Sequence, residues 1–144
     1  MGRYSAGTLT GAGSTTLPII SLYGGVTKQG RIREIGITNT TSTAFAVKLV
    51  SLSTMGTPGA GLTEGVMDQL AASPNCQAFT THTVAPTVNQ DLGYRAAIGA
   101  AVGAGVIWTF GDTGLITGAT PNGVGVIVEN GTGQAAQAYI VWDE

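Results

Sequence analysis

The chain has 144 residues, a length typical of one domain, and only 10% of them are charged, whereas about 25% is usual for a soluble domain. Its 43% of hydrophobic residues excludes a disordered chain, and its net charge of −2 lacks the cationic excess typical of nucleic-acid-binding proteins. Glycine accounts for 23 residues, and Thr, Val and Ile dominate the runs between glycines. This composition favours short strands joined by turns.

The first residues differ in composition from the rest of the chain. Residues 1–14 are rich in Gly, Ser and Thr and are predicted to form an extended N-terminal arm, followed by one domain over residues 15–144. A strand is predicted over residues 15–23. It should lie at a sheet edge or begin after Pro18, because proline has no backbone N–H to donate to a central ladder.

Short apolar runs continue at regular spacing to the end of the chain and predict an all-β fold. Further strands are predicted over 31–38, 45–52, 77–84, 92–98, 105–110, 114–117, 124–129 and 134–142. Asn130-Gly131 between the last two runs predicts a β-hairpin. One short helix is the most that the sequence allows, over residues 62–70. The pattern predicts an antiparallel β-sandwich, and more specifically a jelly roll.

The residues that commonly carry catalysis are few. Cys76 and His82 are the only cysteine and the only histidine. They form either a nucleophile pair or, as we favour, a small buried or loop cysteine and an unrelated surface or half-buried strand histidine. Glu64 and Asp68 share one face of the predicted helix, either as a carboxylate pair or, as we favour, as a solvated surface. One Cys and one His are too few for a zinc site. We expect no enzyme activity, no metal and no cofactor.

The charges are distributed unevenly along the sequence. Residues 1–48 contain five cations and one acid, whereas residues 49–144 contain one cation and seven acids. This polarity either orients copies of a self-associating chain or has no functional meaning. A surface with so few charges is a solubility risk for a free monomer, so we expect other subunits to cover part of it.

No segment of the sequence predicts membrane insertion. The N-terminal residues contain no apolar stretch typical of a secretory signal. The longest weakly polar run, residues 96–107, is shorter than the roughly 20 residues that a spanning helix needs. We therefore expect no membrane partner.

Several stretches resemble small virion proteins of tailed bacteriophages, of the head decoration (cement) type. They cover about the first half of the chain: Met1–Gly7, Gly13–Tyr23, Gly30–Thr41, Val47–Val50, Pro58–Ala60 and Leu62–Gly65. The resemblance implies a β-sandwich or jelly roll, often trimeric, that binds the major capsid protein at three-fold or quasi-three-fold sites. Such a protein is made in the bacterial cytoplasm and then stabilises the outer capsid surface of the virion against internal DNA pressure.

The resemblance also directs attention to the basic residues near the start of the chain. Arg3 and Tyr4 in the arm, with Lys28, Arg31 and Arg33, are the predicted contacts with an acidic capsid surface or a neighbouring copy. Arg31 and Arg33 are two residues apart and therefore lie on the same side of a strand. The alternative for these two is that they line a solvent-exposed face.

A receptor- or glycan-binding β module of a phage tail fibre or spike is the alternative function. It would share this Gly- and Thr-rich composition but would need a cluster of exposed aromatic rings. Trp108 and Trp142 instead lie in apolar runs and are predicted to pack in the core or at a subunit interface. A β-sandwich adaptor of host origin also fits the sequence.

Overall fold

Alternating apolar residues and frequent glycines produce a chain built of strands and turns. The computed structural model describes residues 1–144, in which eleven strands and no helix are formed. The strands are β1 (Arg3–Leu9), β2 (Ile20–Tyr23), β3 (Arg31–Asn39), β4 (Phe45–Leu52), β5 (Gly65–Val66), β6 (Gln77–Phe79), β7 (Val88–Ile98), β8 (Gly105–Thr109), β9 (Leu115–Ile116), β10 (Gly123–Val128) and β11 (Ala136–Asp143).

The strands form two antiparallel sheets that pack against each other. The six-stranded sheet has the order β5-β1-β11-β3-β8, with β9 paired to one end of β3, and the five-stranded sheet has the order β6-β2-β10-β4-β7. The pairs β4–β7, β3–β8, β2–β10 and β1–β11 are nested, as in one long hairpin that has been rolled up. The predicted antiparallel β-sandwich is confirmed.

The hydrophobic core lies between the two sheets. It is a cluster of 21 buried residues that includes Trp142, Ile140 and Ile35 from the six-stranded sheet and Leu49 and Val126 from the five-stranded sheet. Full burial of such a side chain contributes about 1.5–3 kcal/mol. Both tryptophans belong to this cluster, with Trp142 0% and Trp108 7% exposed, so the prediction of core packing is confirmed.

A second cluster covers the other face of the five-stranded sheet. Tyr23, Val50 and Ile127 are buried there, and Met55 from the segment between β4 and β7 packs against them. The Tyr23 hydroxyl donates to the Thr54 carbonyl at 3.2 Å. The segment between β4 and β7 therefore folds over this sheet, so both faces of β2 and β10 are buried.

The predicted N-terminal arm over residues 1–14 is wrong as a free extension. Residues 3–9 form β1, which lies between β5 and β11 and pairs with both. Tyr4 is 2% exposed, and its ring stacks on Trp142 with the centroids 5.9 Å apart. Glycine and serine between these apolar residues hid an alternating strand pattern.

The helix predicted over residues 62–70 is also wrong. The backbone N–H of Leu62 donates to the Ala78 carbonyl at 2.8 Å, and that of Met67 donates to the Arg3 carbonyl at 2.9 Å. Gly65 pairs with Ser5 in β5. Hydrogen bonds to neighbouring strands thus replace those within a helix turn, as expected where Gly65 weakens the helix.

The hairpin predicted around Asn130-Gly131 is wrong because the two flanking strands belong to different sheets. β10 lies between β2 and β4, and β11 lies between β1 and β3, so neither has a free edge for the other. The connecting residues cross from one sheet to the other. Gly133 lies against the backbone of Ala12 there, and a Cβ at this position would be 2.0 Å from the Ala12 carbonyl oxygen.

Most of the other predicted strands exist, with different bounds. The prediction over residues 45–52 matches β4, and the strand at residues 15–23 begins after Pro18 as expected. The strand at residues 77–84 ends at Phe79, because the following residues turn back toward β2: the His82 N–H donates to the Pro18 carbonyl at 3.0 Å, and the His82 ring contacts Ser21, so His82 is not in a strand.

Tyr4→Ala is expected to lower the free energy of unfolding by about 3–5 kcal/mol, because loss of a core ring leaves a cavity. Leu9→Ala on the same strand is the control: Leu9 is 56% exposed, so the expected change is less than about 0.5 kcal/mol. Urea unfolding of both variants gives the two values. Equal, small effects would show that β1 is not part of the core.

Candidate functional site

Three of the five predicted contact residues meet at one end of the six-stranded sheet. β1 and β3 lie on either side of β11, so Arg3 and Arg31 are both in register with Asp143. Arg33 follows on β3, where a bulge opposite Val141 and Trp142 shifts the register. Lys28 lies in the exposed turn that precedes β3.

Asp143 is held by two arginines, and these three residues are named the Asp143 clamp. Arg3 Nε donates to Asp143 Oδ1 at 2.7 Å, and Arg3 Nη2 donates to Oδ2 at 3.1 Å. Arg33 Nε donates to Oδ2 at 2.6 Å, and its Nη1 donates to the Gly111 carbonyl at 3.0 Å. These hydrogen bonds from Arg3 and Arg33 hold the pKa of Asp143 below its ordinary value.

The next residue, Glu144, secures a neighbouring turn. Its Oε2 accepts a hydrogen bond from the Cys76 backbone N–H at 2.8 Å, and Oε1 accepts one from the Asn75 N–H. Burial raises the pKa of Glu144, but these N–H groups outweigh burial and leave the pKa lower than usual. The backbones of Gly2 and Glu144 exchange hydrogen bonds of 3.0 and 3.1 Å.

Two cations of the predicted set form no ion pair. Of the six Lys and Arg side chains, Arg3 and Arg33 pair with Asp143, and two more pair on the five-stranded sheet. The remaining two, Lys28 and Arg31, are exposed and unpaired. Unneutralised positive charge is therefore confined to this end of the molecule.

Tyr4 is not a surface contact, which corrects its place in the predicted set. Its ring is buried against Trp142, and its hydroxyl donates to the Ala72 carbonyl at 2.7 Å. Strand alternation is the reason, because Arg3 points outward and the next residue must point into the core.

The outer face of the six-stranded sheet continues from the clamp. Its middle row is Gly7, Tyr139, Gly36 and Ile107, in register across four strands. The Tyr139 ring lies over Gly36, where a Cβ would be 2.1 Å from the ring, and its hydroxyl donates to Glu34. Burial, with this contact to Glu34, raises the pKa of Tyr139 to about 12.

The five-stranded sheet carries a second ion network. Asp91 on β7 accepts from Arg95 at 2.5 Å and lies 3.6 Å from Lys48, while Arg95 also pairs with Glu129. The backbone N–H of Gly93 donates to Asp91 at 2.8 Å and is the main cause of its lowered pKa. This network neutralises the charges on that side of the molecule.

The structure does not bring Cys76 and His82 together as a nucleophile pair. Cys76 Sγ lies beside the Lys28 carbonyl, and burial, with the neighbouring Glu144, raises its pKa to about 12. The thiol is therefore protonated at neutral pH. His82 Nε2 instead lies 2.9 Å from Ser21 Oγ, and burial lowers the pKa of His82. Ser21 and His82 are 0% and 2% exposed, so a substrate cannot reach them.

The two acids of the predicted helix face do not act together either. Glu64 Oε1 accepts from the Ala78 N–H at 3.4 Å, whereas Asp68 Oδ1 accepts from the Leu70 N–H at 3.1 Å. No group of three or more His, Cys, Asp or Glu side chains is placed to hold a metal ion.

A hollow lies near the turn that holds Lys28. It is open, has a volume of about 390 Å³ and is lined by Gly24, Gly25, Met55, Asn75 and Gln77 among others. None of its lining residues carries a charge at neutral pH. The hollow thus offers amides, hydroxyl groups and apolar atoms but no charged group.

The sequence matches no protein-family model and has no significant match among curated proteins, and the structure has none among solved structures. The structure contains no helix that is long and apolar enough to cross a membrane. Function is therefore inferred from the two unpaired cations and the Asp143 clamp.

Sequence reasoning missed the central residue of this site. Asp143 appeared only as one of two acids at the end of the chain, and nothing local links it to Arg3 or Arg33. The one available signal was the separation of cations and acids between the two halves of the sequence. That signal is consistent with pairing between the halves but does not identify the partners.

Acid is expected to weaken the fold through Asp143 and Glu144, whose folded-state pKa values are lowered. Their stabilisation is complete above the unfolded-state pKa of about 4 and is lost as pH falls through the lower folded values. Asp143→Asn should cost roughly 1–3 kcal/mol at neutral pH and flatten the acid limb of the profile.

Thermal unfolding across pH measures this effect, and Asp112→Asn is the matched control because its carboxylate forms no ion pair. Identical profiles for Asp143→Asn and wild type would contradict a stabilising clamp.

Proposed function

We propose that the chain is a non-enzymatic capsid decoration, or cement, protein of a tailed bacteriophage. It binds the outer surface of the major capsid protein as a homo-oligomer, a trimer by its resemblance to such proteins, and stabilises the shell. The observation that carries this proposal is the pair of exposed, unpaired cations Lys28 and Arg31, of which Arg31 lies within a stretch that resembles these proteins.

We also infer that the fold is a jelly roll. Only eight strands have four residues or more, and they give the orders β1-β11-β3-β8 and β2-β10-β4-β7. First strands pair with last strands in both sheets, as two interlocked Greek keys require. Jelly rolls are common in viral capsid proteins and in lectins. The fold therefore suits the proposal without deciding between shell binding and glycan binding.

The docking surface is the basic end of the six-stranded sheet. Lys28 and Arg31 supply charge that no acid of the same chain neutralises, and the Asp143 clamp holds Arg3 and Arg33 rigid beside them. A single exposed ion pair contributes only about 0–1 kcal/mol, so one copy would bind weakly. Several copies joined in one oligomer bind far more tightly, because each further contact becomes intramolecular.

The glycan-binding alternative needs exposed rings. Tyr94, at 42% exposed, is the one aromatic side chain among the exposed large hydrophobic residues, and it leans against Trp108 and Phe110. No second exposed ring lies beside it to form a sugar-stacking platform. Glycan binding is thus an outcome to be tested rather than a second proposal.

The double variant Lys28→Ala/Arg31→Ala should weaken binding to undecorated capsids about tenfold and reduce its dependence on salt, because two charge contacts are lost. Capsids assembled from the major capsid protein of the same phage provide the target, and co-sedimentation at several salt concentrations measures occupancy.

Lys48→Ala/Arg95→Ala is the matched control, because it removes the same charge from the opposite sheet. Equal losses in the two double variants would show that net charge, not this surface, determines binding. Failure of the wild-type protein to bind capsids, with binding on a glycan array, would overturn the proposed function itself.

A further inference from the structure

The sandwich has four sheet edges, and β8 forms the most open of them. β5 and β6 end their sheets with two and three residues, too short to pair with another chain, although β5 covers only Tyr4 and Ser5 of β1 and leaves a short open stretch up to Leu9. β7 is long, but it bulges where Lys48 faces Arg95 and Val50 faces Asp91, with Gly93 at a φ of +81°. Bulges and charges are the devices by which edge strands avoid pairing with other chains. β8 has neither.

The free edge of β8 carries backbone groups that point away from the protein. Asn39 N donates to the Ala104 carbonyl at 2.7 Å, and Phe110 N donates to the Arg33 carbonyl at 2.8 Å. In an antiparallel ladder, alternate residues bond to the same neighbour, so the even-numbered residues of β8 bond to β3. Gly105, Ile107 and Thr109 therefore direct their N–H and C=O groups to the open side, where no strand is paired.

The side chains around this edge are apolar and exposed. Ile107 is 62% exposed on β8, and Val102 is 75% exposed in the turn that precedes it. No residue from Ala96 to Gly111 carries a charge. The β3–β8 register has no bulge, and an uncharged, regular edge with open backbone groups promotes strand pairing between chains.

We propose that β8 pairs antiparallel with β8 of a second copy of this chain, about a two-fold axis at Ile107. Ile107 then faces Ile107 of the second copy, and Gly105 faces Thr109 of the second copy. Each opposed pair exchanges both of its hydrogen bonds. The two six-stranded sheets become one continuous sheet across the contact.

The absence of charge around β8 and the placement of its outward backbone groups identify a second copy of this chain as the partner of this edge. In a two-fold contact, any charge near the axis meets an identical charge, and the uncharged stretch of residues 96–111 avoids this repulsion. The outward groups at Gly105, Ile107 and Thr109 are placed symmetrically about the central residue, so the strand is complementary to itself. Pairing with an unrelated protein would require neither an uncharged stretch nor this symmetric placement.

This contact does not depend on capsid binding. A two-fold contact joins two single copies into a dimer, or two of the proposed trimers into a hexamer. It lies on β8, whereas Lys28 and Arg31 lie at or before the start of β3. Charge variants in the docking surface therefore leave it intact.

The mass of the full-length protein in solution tests the proposal. Wild type should contain an even number of chains, and Ile107→Lys should halve that mass, because the two lysines meet at the axis. Leu9→Lys is the matched control: Leu9 is an exposed aliphatic residue at the opposite side of the same sheet, so its variant keeps the wild-type mass. Sedimentation equilibrium and thermal unfolding of each variant separate dissociation from misfolding.

A cysteine pair gives a second readout. A short bismaleimide should link two chains of Ile107→Cys and should not link Leu9→Cys, while Cys76 is buried in both. A wild-type mass of one or three chains, an unchanged mass for Ile107→Lys, or equal cross-linking at the two positions would each overturn the two-fold contact.

Discussion

Antiparallel pairing of β1 with β11 joins residues 3–9 to residues 137–143, and the other long strand pairs nest inside this pair. Each inner pair depends on the outer one, because β11 also forms the ladder that positions β3. The Asp143 clamp reinforces the pairing where the chain ends meet. A carboxylate between two arginines adds charge-assisted hydrogen bonds to the backbone ladder.

Nesting also explains the uneven charges of the sequence. It brings the basic first half of the chain beside the acidic second half, so that Arg3 and Arg33 meet Asp143 and Lys48 meets Asp91. The polarity is therefore used largely within one molecule, not between copies. Of the six cations, only Lys28 and Arg31 remain without an ion pair, and these two are therefore free to bind a partner.

Local pattern predicted the fold class and several strands, because alternation in β4 or β3 directly reflects one buried face. It failed where partners distant in the sequence decide the outcome. Asn130-Gly131 is a strong hairpin signal, but strands on both sides of β10 and β11 already occupy their edges. Residues 62–70 form hydrogen bonds with β1 and β6 instead of the predicted helix. The site depends on Asp143, whose partners are far away in sequence, so composition indicated only the basic half of it.

The pairing of the first strand with the last has a consequence for synthesis of the protein. β1 leaves the ribosome early, but β11, its main partner, emerges only after the rest of the chain described here. Until then, Tyr4 and Ala6 have no core to enter, and the inner strands lack the sheet that holds them. Folding is consequently expected to be largely post-translational, and the nascent chain exposes apolar strands throughout elongation.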